Sequence, residues 1–232
     1  MSGGGSVRRR ITVAVMRKDL RIERNSRILV NQVAPFAAIV MVMFGFALDN
    51  DAILQRVAPG LVWLAVLFSM LVVIQRSFAV ESADGALDAL RVAGVDPSAI
   101  FLGKALALFV QLLALECMLV LTAVVLYGVQ LAGAGWVLAV CTLVLATVGL
   151  ACVGTLYGGL ATGARGRETL MPLLVLPVVA PVLIGATRAT EAAFGSGGAR
   201  VSEGWPWIAL LAVFAVVFVA VGAVAFGPLV DE

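Results

Sequence analysis

The sequence predicts an all-α integral membrane protein with six transmembrane helices, and three observations support this prediction. First, 62 % of its 232 residues are hydrophobic and only 13 % are charged, which is more apolar than a soluble domain. Second, the chain contains six long apolar runs, and about 20 apolar residues suffice for a helix to cross a hydrocarbon core about 30 Å thick. Third, the basic residues are concentrated on alternate sides of these runs.

The distribution of basic residues predicts that both ends of the chain are cytoplasmic. If the N-terminus is assigned to the cytoplasm, thirteen Lys and Arg residues fall on that side and three on the other. The thirteen are Arg8, Arg9, Arg10, Arg17, Lys18, Arg21, Arg24, Arg27, Arg76, Arg91, Lys104, Arg165 and Arg167, and the three are Arg56, Arg188 and Arg200. This bias is the positive-inside pattern of multi-pass membrane proteins. The net charge of only +2 indicates no nucleic-acid partner, and anionic lipid headgroups account better for the basic N-terminal arm.

Residues 1–31 predict a cytoplasmic basic tail that includes an interfacial helix. Ile11, Val15, Ile22 and Leu29 fall near one face of a helix over residues 7–31, and most arginines lie elsewhere, although Lys18 is close to the apolar face. A disordered basic tail is the alternative. The region is basic throughout and has no continuous apolar core, so we expect no cleavable signal peptide and a retained N-terminus.

The six apolar runs predict a six-helix transmembrane domain over residues 32–230. They cover approximately residues 32–48, 57–74, 100–130, 136–161, 171–187 and 205–230. The third run is long enough to tilt or to extend beyond the membrane. The fifth run is short and contains Pro172, Pro177 and Pro181, which remove backbone donors and predict a kinked or broken helix.

The fourth run contains two small-xxx-small spacings. They run from Gly154 to Gly158 and from Gly159 to Gly163. Such spacings allow two helices to approach closely. In a chain with this much glycine, we favour packing within the chain over a seam between two copies.

The segment between the second and third runs predicts a short amphipathic helix over residues 81–94. Val80, Ala83, Leu87, Leu90 and Gly94 share one helical face, and the adjoining polar stripe consists of Glu81, Asp84, Asp88 and Arg91. Asp96 and Pro97 then occupy plausible N-cap and N1 positions of the third span. The residues alone leave two interpretations open: an ordinary interfacial loop with helical character, and a docking element for a cytoplasmic partner.

Two ionisable residues fall within the predicted spans. Lys104 lies about one turn into the third helix, where its ammonium group can reach the cytoplasmic headgroups. Glu116 lies about 24 Å from the start of that helix, in the outer half of the bilayer. We expect Glu116 to face the bundle interior, a water-filled cavity or a partner subunit, with Gln111 on a somewhat different face. A transport or partner role and a tolerated structural carboxyl both remain open for Glu116.

The sequence contains no constellation that predicts an enzyme. It has no histidine, and Cys117, Cys141 and Cys152 all fall in apolar runs, so we expect small buried side chains rather than metal ligands. No GxxxxGK[ST] phosphate-binding loop occurs, and we therefore expect the chain not to hydrolyse ATP itself. We predict no catalytic residue, no metal site and no directly bound cofactor. Energy for any uphill movement must come from a partner or an ion gradient.

Three stretches of the sequence resemble the CcmB family, the haem exporter B subunits of cytochrome c maturation, which are ABC-2-type permeases. The first is RVAPGLVWLA over residues 56–65, at the start of the second span. The second extends from Phe78 through the acidic-Gly-Leu segment at residues 84–87 to Lys104. The third is LLVLPVVAPVLIG over residues 173–185. The order of an N-terminal interfacial helix, six spans and an amphipathic helix between spans two and three also matches this family's plan.

The resemblance implies a permease subunit that transmits ATP-driven motion from a separate CcmA-like ATPase in the bacterial cytoplasmic (inner) membrane. It further implies a CcmC-like haem-handling subunit, a small CcmD-like subunit and a homodimer, with haem as the substrate of the complex. Helix 81–94 is then the coupling element, with Leu87 and Leu90 as anchors, polar contacts from Glu81, Asp84, Asp88 and Arg91, and close backbone approach at Gly85.

The sequence departs from the family pattern near the third span. The family often has a proline-rich stretch before this span and prolines within it, whereas this chain has only Pro97 before it and Glu116 with Cys117 inside it. Candidate residues for a transport path or a partner contact are therefore Glu116, Gln111, Pro177 and Pro181. Two alternative functions remain: an ABC-2 exporter subunit for another amphiphile, such as a lipid or drug, and a non-transporting scaffold for the haem-handling subunit.

Overall fold

The structure, a computed structural model, describes residues 3–48, 50–84, 92, 94–129, 131, 133–160 and 167–231. These residues are almost entirely helical, and no strand occurs among them. Six of the described helical stretches are long and apolar enough to cross a membrane: Leu29–Ala47, Asp51–Phe78, Pro97–Tyr127, Gly135–Leu160, Pro172–Phe194 and Val201–Pro228. The predicted all-α class with six spans is confirmed.

Seven α-helices follow one another in the described chain. They are α1 (Gly3–Ser26), α2 (Ala34–Ala47), α3 (Asp51–Asp84), α4 (Pro97–Tyr127), α5 (Gly135–Leu160), α6 (Arg167–Phe194) and α7 (Val201–Asp231). A π-helical turn, Leu29–Val33, leads into α2, and a 3₁₀ turn, Ser196–Gly198, separates α6 from α7. The main difference from the sequence prediction is α3, which is 34 residues long and begins earlier and ends later than the apolar run over residues 57–74.

The N-terminal helix predicted over residues 7–31 is present, but it ends at Ser26. The chain bends after it, with a positive φ of 52° at Arg27, and a Glu23 carboxylate oxygen accepts a hydrogen bond from Leu29 N at 2.5 Å. Its buried face matches the predicted apolar face only in part, because Val15 is buried as expected, whereas Ile22 is exposed and Asp19 is buried. That α1 lies in the membrane interface stays a prediction.

Helix α5 lies at the centre of the bundle and packs against α3, α4, α6 and α7. Glycines make these approaches possible. A Cβ atom added at Gly154 would lie 2.3 Å from Ile74 Cδ1, and one added at Gly158 would lie 2.3 Å from Phe78 Cε2. The predicted role of the first small-xxx-small pair in packing within the chain is confirmed. Gly163 lies outside the described residues.

Helix α6 is continuous from Arg167 to Phe194 although it contains three prolines. Of the predicted kinked or broken helix, the broken alternative is therefore wrong, and a kink stays a prediction. Pro177 and Pro181 lie on the exposed side of the helix, whereas Val175, Val179 and Val182 on the other side are completely buried. Packing of that opposite face stabilises the helix despite the hydrogen bonds that the prolines remove.

Two buried hydrogen bonds join helices at the end of the bundle where α3 begins and α4 ends. Trp63 Nε1 donates to Thr190 Oγ1 at 2.9 Å, which joins α3 to α6. Tyr127 Oη donates to the carbonyl oxygen of Met41 at 2.7 Å, which joins α4 to α2. The opposite end, where α1 packs against the start of α4, is hereafter called the α1 end, and it contains the candidate site.

Candidate functional site

The segment predicted as a coupling helix lies at the α1 end, between α3 and α4. Glu81 and Asp84 belong to α3, so the first residues of the predicted coupling helix continue the helix of the second span. At the other bound of the predicted segment, Gly94 is in a turn with φ of 67° and is not part of a helix. The coupling helix over about residues 81–94 otherwise stays a prediction. The remaining predicted coupling residues, Gly85, Leu87, Asp88, Leu90 and Arg91, lie outside the described residues.

The start of α4 has the cap that the sequence predicts. The Asp96 carboxylate accepts hydrogen bonds from the backbone N of Ser98 at 3.0 Å and from its hydroxyl at 2.7 Å, and Pro97 is the first helical residue. Arg8 of α1 lies 3.6 Å from Asp96, with about half of each side chain exposed. An exposed pair of this kind adds little stability, but it shows that the beginning of α1 lies beside the end of the predicted coupling segment.

The structure contradicts the prediction that Lys104 reaches the lipid headgroups. Its side chain is only 3 % exposed, and Nζ lies 3.5 Å from Oδ2 of Asp19 on α1. The same atom lies 4.6 Å from the centre of the Phe78 ring on α3. An amphipathic helix that packs over the start of α4 covers the lysine and supplies its counter-charge, so the side chain turns inward.

Close packing between α1 and α4 accompanies this ion pair. A Cβ atom at Gly103 would lie 2.7 Å from Val15 Cβ and 2.8 Å from the carbonyl oxygen of Thr12, so only glycine allows this approach. The Thr12 hydroxyl donates to the carbonyl oxygen of Ala99 at 3.3 Å. Sequence reasoning missed Asp19. The available signal was a carboxylate on the same helical stripe as Thr12 and Val15, together with a lysine inside a span.

A cavity of about 70 Å³ lies between α1, α3 and α4, close to the ion pair. Its polar lining includes Asp19, Glu23, Arg76, Ser77 and Gln111. Gln111 lines this cavity together with residues of α1 and α3. It is therefore oriented toward these two helices, and only 9 % of it is exposed.

Glu116 is completely buried and faces α5. The Thr147 hydroxyl lies 2.5 Å from its Oε2 atom and also hydrogen-bonds the carbonyl oxygen of Leu143 within α5. Oε1 is buried and has no hydrogen-bond partner among the described residues. Glu116 therefore faces the bundle interior, as one of the predicted alternatives requires.

The four candidate residues for a transport path do not lie together. Gln111 faces the cavity beside α1, and Glu116 faces α5. Pro177 and Pro181 lie on the exposed side of α6. A role of any of them in transport or partner contact stays a prediction. The expectation of three buried cysteines is wrong for Cys117, which is exposed, whereas Cys141 is half-buried and Cys152 is buried.

Comparisons with known proteins identify the family. The family model described as "CcmB protein" matches residues 10–231. Proteins named "Heme exporter protein B" from Haemophilus influenzae, Rhodobacter capsulatus and Paracoccus denitrificans are 30 %, 32 % and 30 % identical to the chain. The alignments cover 79 %, 63 % and 80 % of this chain and 82 %, 66 % and 84 % of the respective relatives.

No solved structure matches the chain. The family assignment therefore stands on the match over nearly the whole sequence and on the named relatives. The six apolar helices of the described chain agree with it. This multi-pass membrane protein belongs to the CcmB family.

Proposed function

We propose that this chain is the permease subunit of an ABC-type complex that exports or delivers haem for the maturation of c-type cytochromes. The observation that supports the proposal most directly is the CcmB family match over residues 10–231. The relatives' name, "Heme exporter protein B", supplies the substrate, and the six apolar helices supply the membrane domain. The sequence contains no phosphate-binding loop, so ATP is hydrolysed by a separate, CcmA-like subunit.

The ATPase subunit docks on the segment over residues 81–94. This segment lies between Phe78, which is buried on α3, and the capped start of α4 at Asp96. Val92, near the end of the segment, is 90 % exposed and is therefore accessible to a partner. Leu87 and Leu90 anchor the contact, and Glu81, Asp84, Asp88 and Arg91 supply polar contacts around it, with close approach at Gly85.

The orientation follows from the charge bias, with both termini and the docking segment on the cytoplasmic side of the bacterial inner membrane. Two copies of the chain form the permease, joined by CcmC-like and CcmD-like subunits. The first and last spans, Leu29–Ala47 and Val201–Pro228, have few buried residues, and their exposed apolar side chains offer these contacts and the lipid contacts. Haem is the substrate of the whole complex. Axial ligation of its iron belongs to the CcmC-like subunit, a role that fits the absence of histidine, a common axial ligand, from this chain.

The docking role is tested by co-purification with the ATPase subunit. Replacing both Leu87 and Leu90 by Asp places charges at the proposed apolar anchors, and we expect the ATPase to be lost from the purified complex. Ser196→Asp is the matched control, because Ser196 lies in the 3₁₀ turn at the opposite end of the bundle. Unchanged co-purification of the double variant would contradict docking at this segment.

The haem role is tested on the purified complex by absorption spectra with and without ATP. We expect ATP to change the haem spectrum and to drive haem transfer to a periplasmic haem chaperone. Stimulation of ATP hydrolysis by lipids or drugs in the absence of haem and of other subunits would instead indicate an exporter for another amphiphile. Haem transfer that needs this chain but no ATP turnover would indicate a scaffold.

A further inference from the structure

Three helices meet at the ammonium group of Lys104. Lys104 belongs to α4, its Nζ lies 3.5 Å from Asp19 Oδ2 on α1, and it lies 4.6 Å from the ring centre of Phe78 on α3. All three residues are buried. The opposite charge and the aromatic face both stabilise the cation at this position.

The Asp19–Lys104 pair specifies where α1 packs along α4. A buried ion pair adds little net stability compared with apolar packing, but removing one partner is strongly unfavourable. Any other register of α1 would separate Asp19 from Lys104 and leave charge buried at this junction. The uncharged contacts agree with the same register, because Gly103 fits against Val15 and the Thr12 hydroxyl meets the Ala99 carbonyl.

Phe78 extends this junction to the centre of the bundle. Its ring packs directly against the backbone of α5 at Gly158, where a Cβ atom would lie 2.3 Å from Phe78 Cε2. The helix continues beyond Phe78 to Asp84, within the proposed docking segment. The other end of that segment leads into α4 at Asp96, beside Arg8 of α1. Both ends of the docking segment are therefore connected to the helices that meet at Lys104.

We propose that Lys104 joins α1, the end of α3 and the start of α4 into one unit that moves as a body when the ATPase displaces the docking segment. This inference rests on the proposed function, because it assigns the route by which ATP-driven motion leaves residues 81–94. Lys104 is a positioning residue, which acts by holding α1 and Phe78 in place. The N-terminal helix is thereby part of the moving machinery rather than a passive membrane anchor.

The first test compares two substitutions of Lys104 in the full complex with its ATPase, reconstituted in vesicles. ATP hydrolysis and ATP-dependent haem transfer are measured separately. Lys104→Met removes the cation and keeps a long apolar side chain, and we expect haem transferred per ATP hydrolysed to fall by about 2- to 30-fold. Lys104→Arg keeps the charge, and we expect it to retain most of the coupling. Equal coupling in Lys104→Met and the wild type would overturn the proposal.

The second test displaces α1 without changing any charge. Gly103→Leu forces its side chain into Val15 and the Thr12 carbonyl, and we expect the same loss of coupling as in Lys104→Met. Gly60→Ala is the control for replacing a glycine within a span, because the nearest atom that an added Cβ meets among the described residues is Thr187 Cγ2, at 4.0 Å. Normal coupling in Gly103→Leu would contradict a role for docked α1. If Lys104→Met does not accumulate, the double variant Asp19→Asn with Lys104→Met removes both charges together, with the same expected loss.

The third test fastens α1 to α4 covalently. Thr12→Cys and Ala99→Cys are introduced where the two helices already meet, in a chain whose three native cysteines are replaced by Ser. Oxidation to the disulfide should leave coupling unchanged in the otherwise native chain and restore it in Lys104→Met. The disulfide yield also reports whether each variant folds. Loss of coupling on oxidation would show that α1 moves relative to α4 and would overturn the proposal.

These outcomes separate the inference from the proposed function. If the wild-type complex contains no ATPase subunit, or if it transfers haem without ATP, the proposed function is contradicted. The inference then fails too, because it rests on the proposed function. A wild-type complex that couples ATP to haem transfer, together with a Lys104→Met complex that couples equally well, contradicts the inference alone.

Discussion

Lys104 and Glu116 are ionisable side chains buried on the same helix, and their surroundings differ. They are separated by about 18 Å along α4. Lys104 has a carboxylate 3.5 Å away and an aromatic ring beneath it. Glu116 has only the Thr147 hydroxyl, and its Oε1 atom has no partner among the described residues. Lys104 therefore has a residue of opposite charge beside it, whereas the Glu116 carboxyl group has a single hydroxyl group as its hydrogen-bond partner.

The difference follows from position along the bundle. Lys104 lies near the start of α4, where the separate helix α1 packs against it and brings a counter-charge. Glu116 lies between α4 and α5, where the surrounding side chains are almost all apolar. A buried charge without an opposite charge is far more costly than a neutral hydrogen-bonded group. The comparison predicts a charged pair at the first site and a neutral carboxylic acid at the second.

The hydrogen bonds of Thr147 support a neutral Glu116. A threonine hydroxyl has one proton to donate, yet Thr147 Oγ1 contacts both Glu116 Oε2 and the Leu143 carbonyl oxygen. If Glu116 is protonated, it donates to Thr147, and Thr147 donates its own proton to Leu143. If Glu116 is ionised, two acceptors compete for one proton. We therefore expect Glu116 to keep its proton.

The largest effect is expected for Asp19→Asn, which removes the carboxylate charge beside Lys104. Breaking a buried ion pair by neutralising one partner lowers the free energy of unfolding by about 3–5 kcal/mol. The measurement is denaturant unfolding of the purified chain in detergent. Asp96→Asn is the control, because this cap is half-exposed and Asn caps helices about as well as Asp. Equal stability of the two variants would show that the buried pair is not charged.

Removing the cation instead of the carboxylate sharpens the same comparison. After Lys104→Met, Asp19 keeps Lys18 at 3.1 Å, and Lys18 is partly exposed to solvent. We therefore expect Lys104→Met to destabilise the fold less than Asp19→Asn does. The double variant should lose less stability than the sum of the two single losses, because neither charge is then left buried alone. A strictly additive result would contradict a direct interaction between the two side chains.

A smaller effect is expected for Thr147→Val, which removes the hydroxyl beside Glu116 and preserves the side-chain shape. Leaving a buried polar group unsatisfied costs about 1–3 kcal/mol. Thr142→Val is the matched control, because the Thr142 hydroxyl is also buried on α5 but donates to the carbonyl oxygen of Leu138 in its own helix, at 2.8 Å. If both variants lose the same stability, Thr147 does not stabilise Glu116.

The sequence was sufficient to predict the six spans and the Asp96 cap, because both depend on local composition. A segment of this hydrophobicity has few options except a membrane-spanning helix, and an Asp-Pro pair before an apolar run is a local signal for a helix start. The end of α3 was not predicted, because apolarity stops near Ile74 while the helix continues to Asp84. Helical hydrogen bonding does not require an apolar sequence.

The candidate site was less predictable, because it depends on how separate helices pack. A lysine near the start of a span has the same local sequence whether it reaches the headgroups or pairs inward. Only the docking of α1, made possible by Gly103, decides between these outcomes. Similarly, α4 is apolar on nearly all sides, so its sequence does not reveal that Gln111 faces α1 and α3 while Glu116 faces α5.

The smallest effect is expected for Glu116→Gln, although it makes the same carboxylate-to-amide change as Asp19→Asn. An amide can donate to Thr147 as a protonated carboxyl does, so we expect a stability change below about 1 kcal/mol. The infrared difference spectrum between the wild type and Glu116→Gln should show the loss of a band from a protonated carboxylic acid. Glu191→Gln is the control, because Glu191 forms an ion pair with Arg188 at 2.9 Å, and its loss should appear in the carboxylate region instead. Loss of a carboxylate band instead, together with a gain in stability on substitution, would show that Glu116 is ionised and that α4 holds an unpaired buried charge.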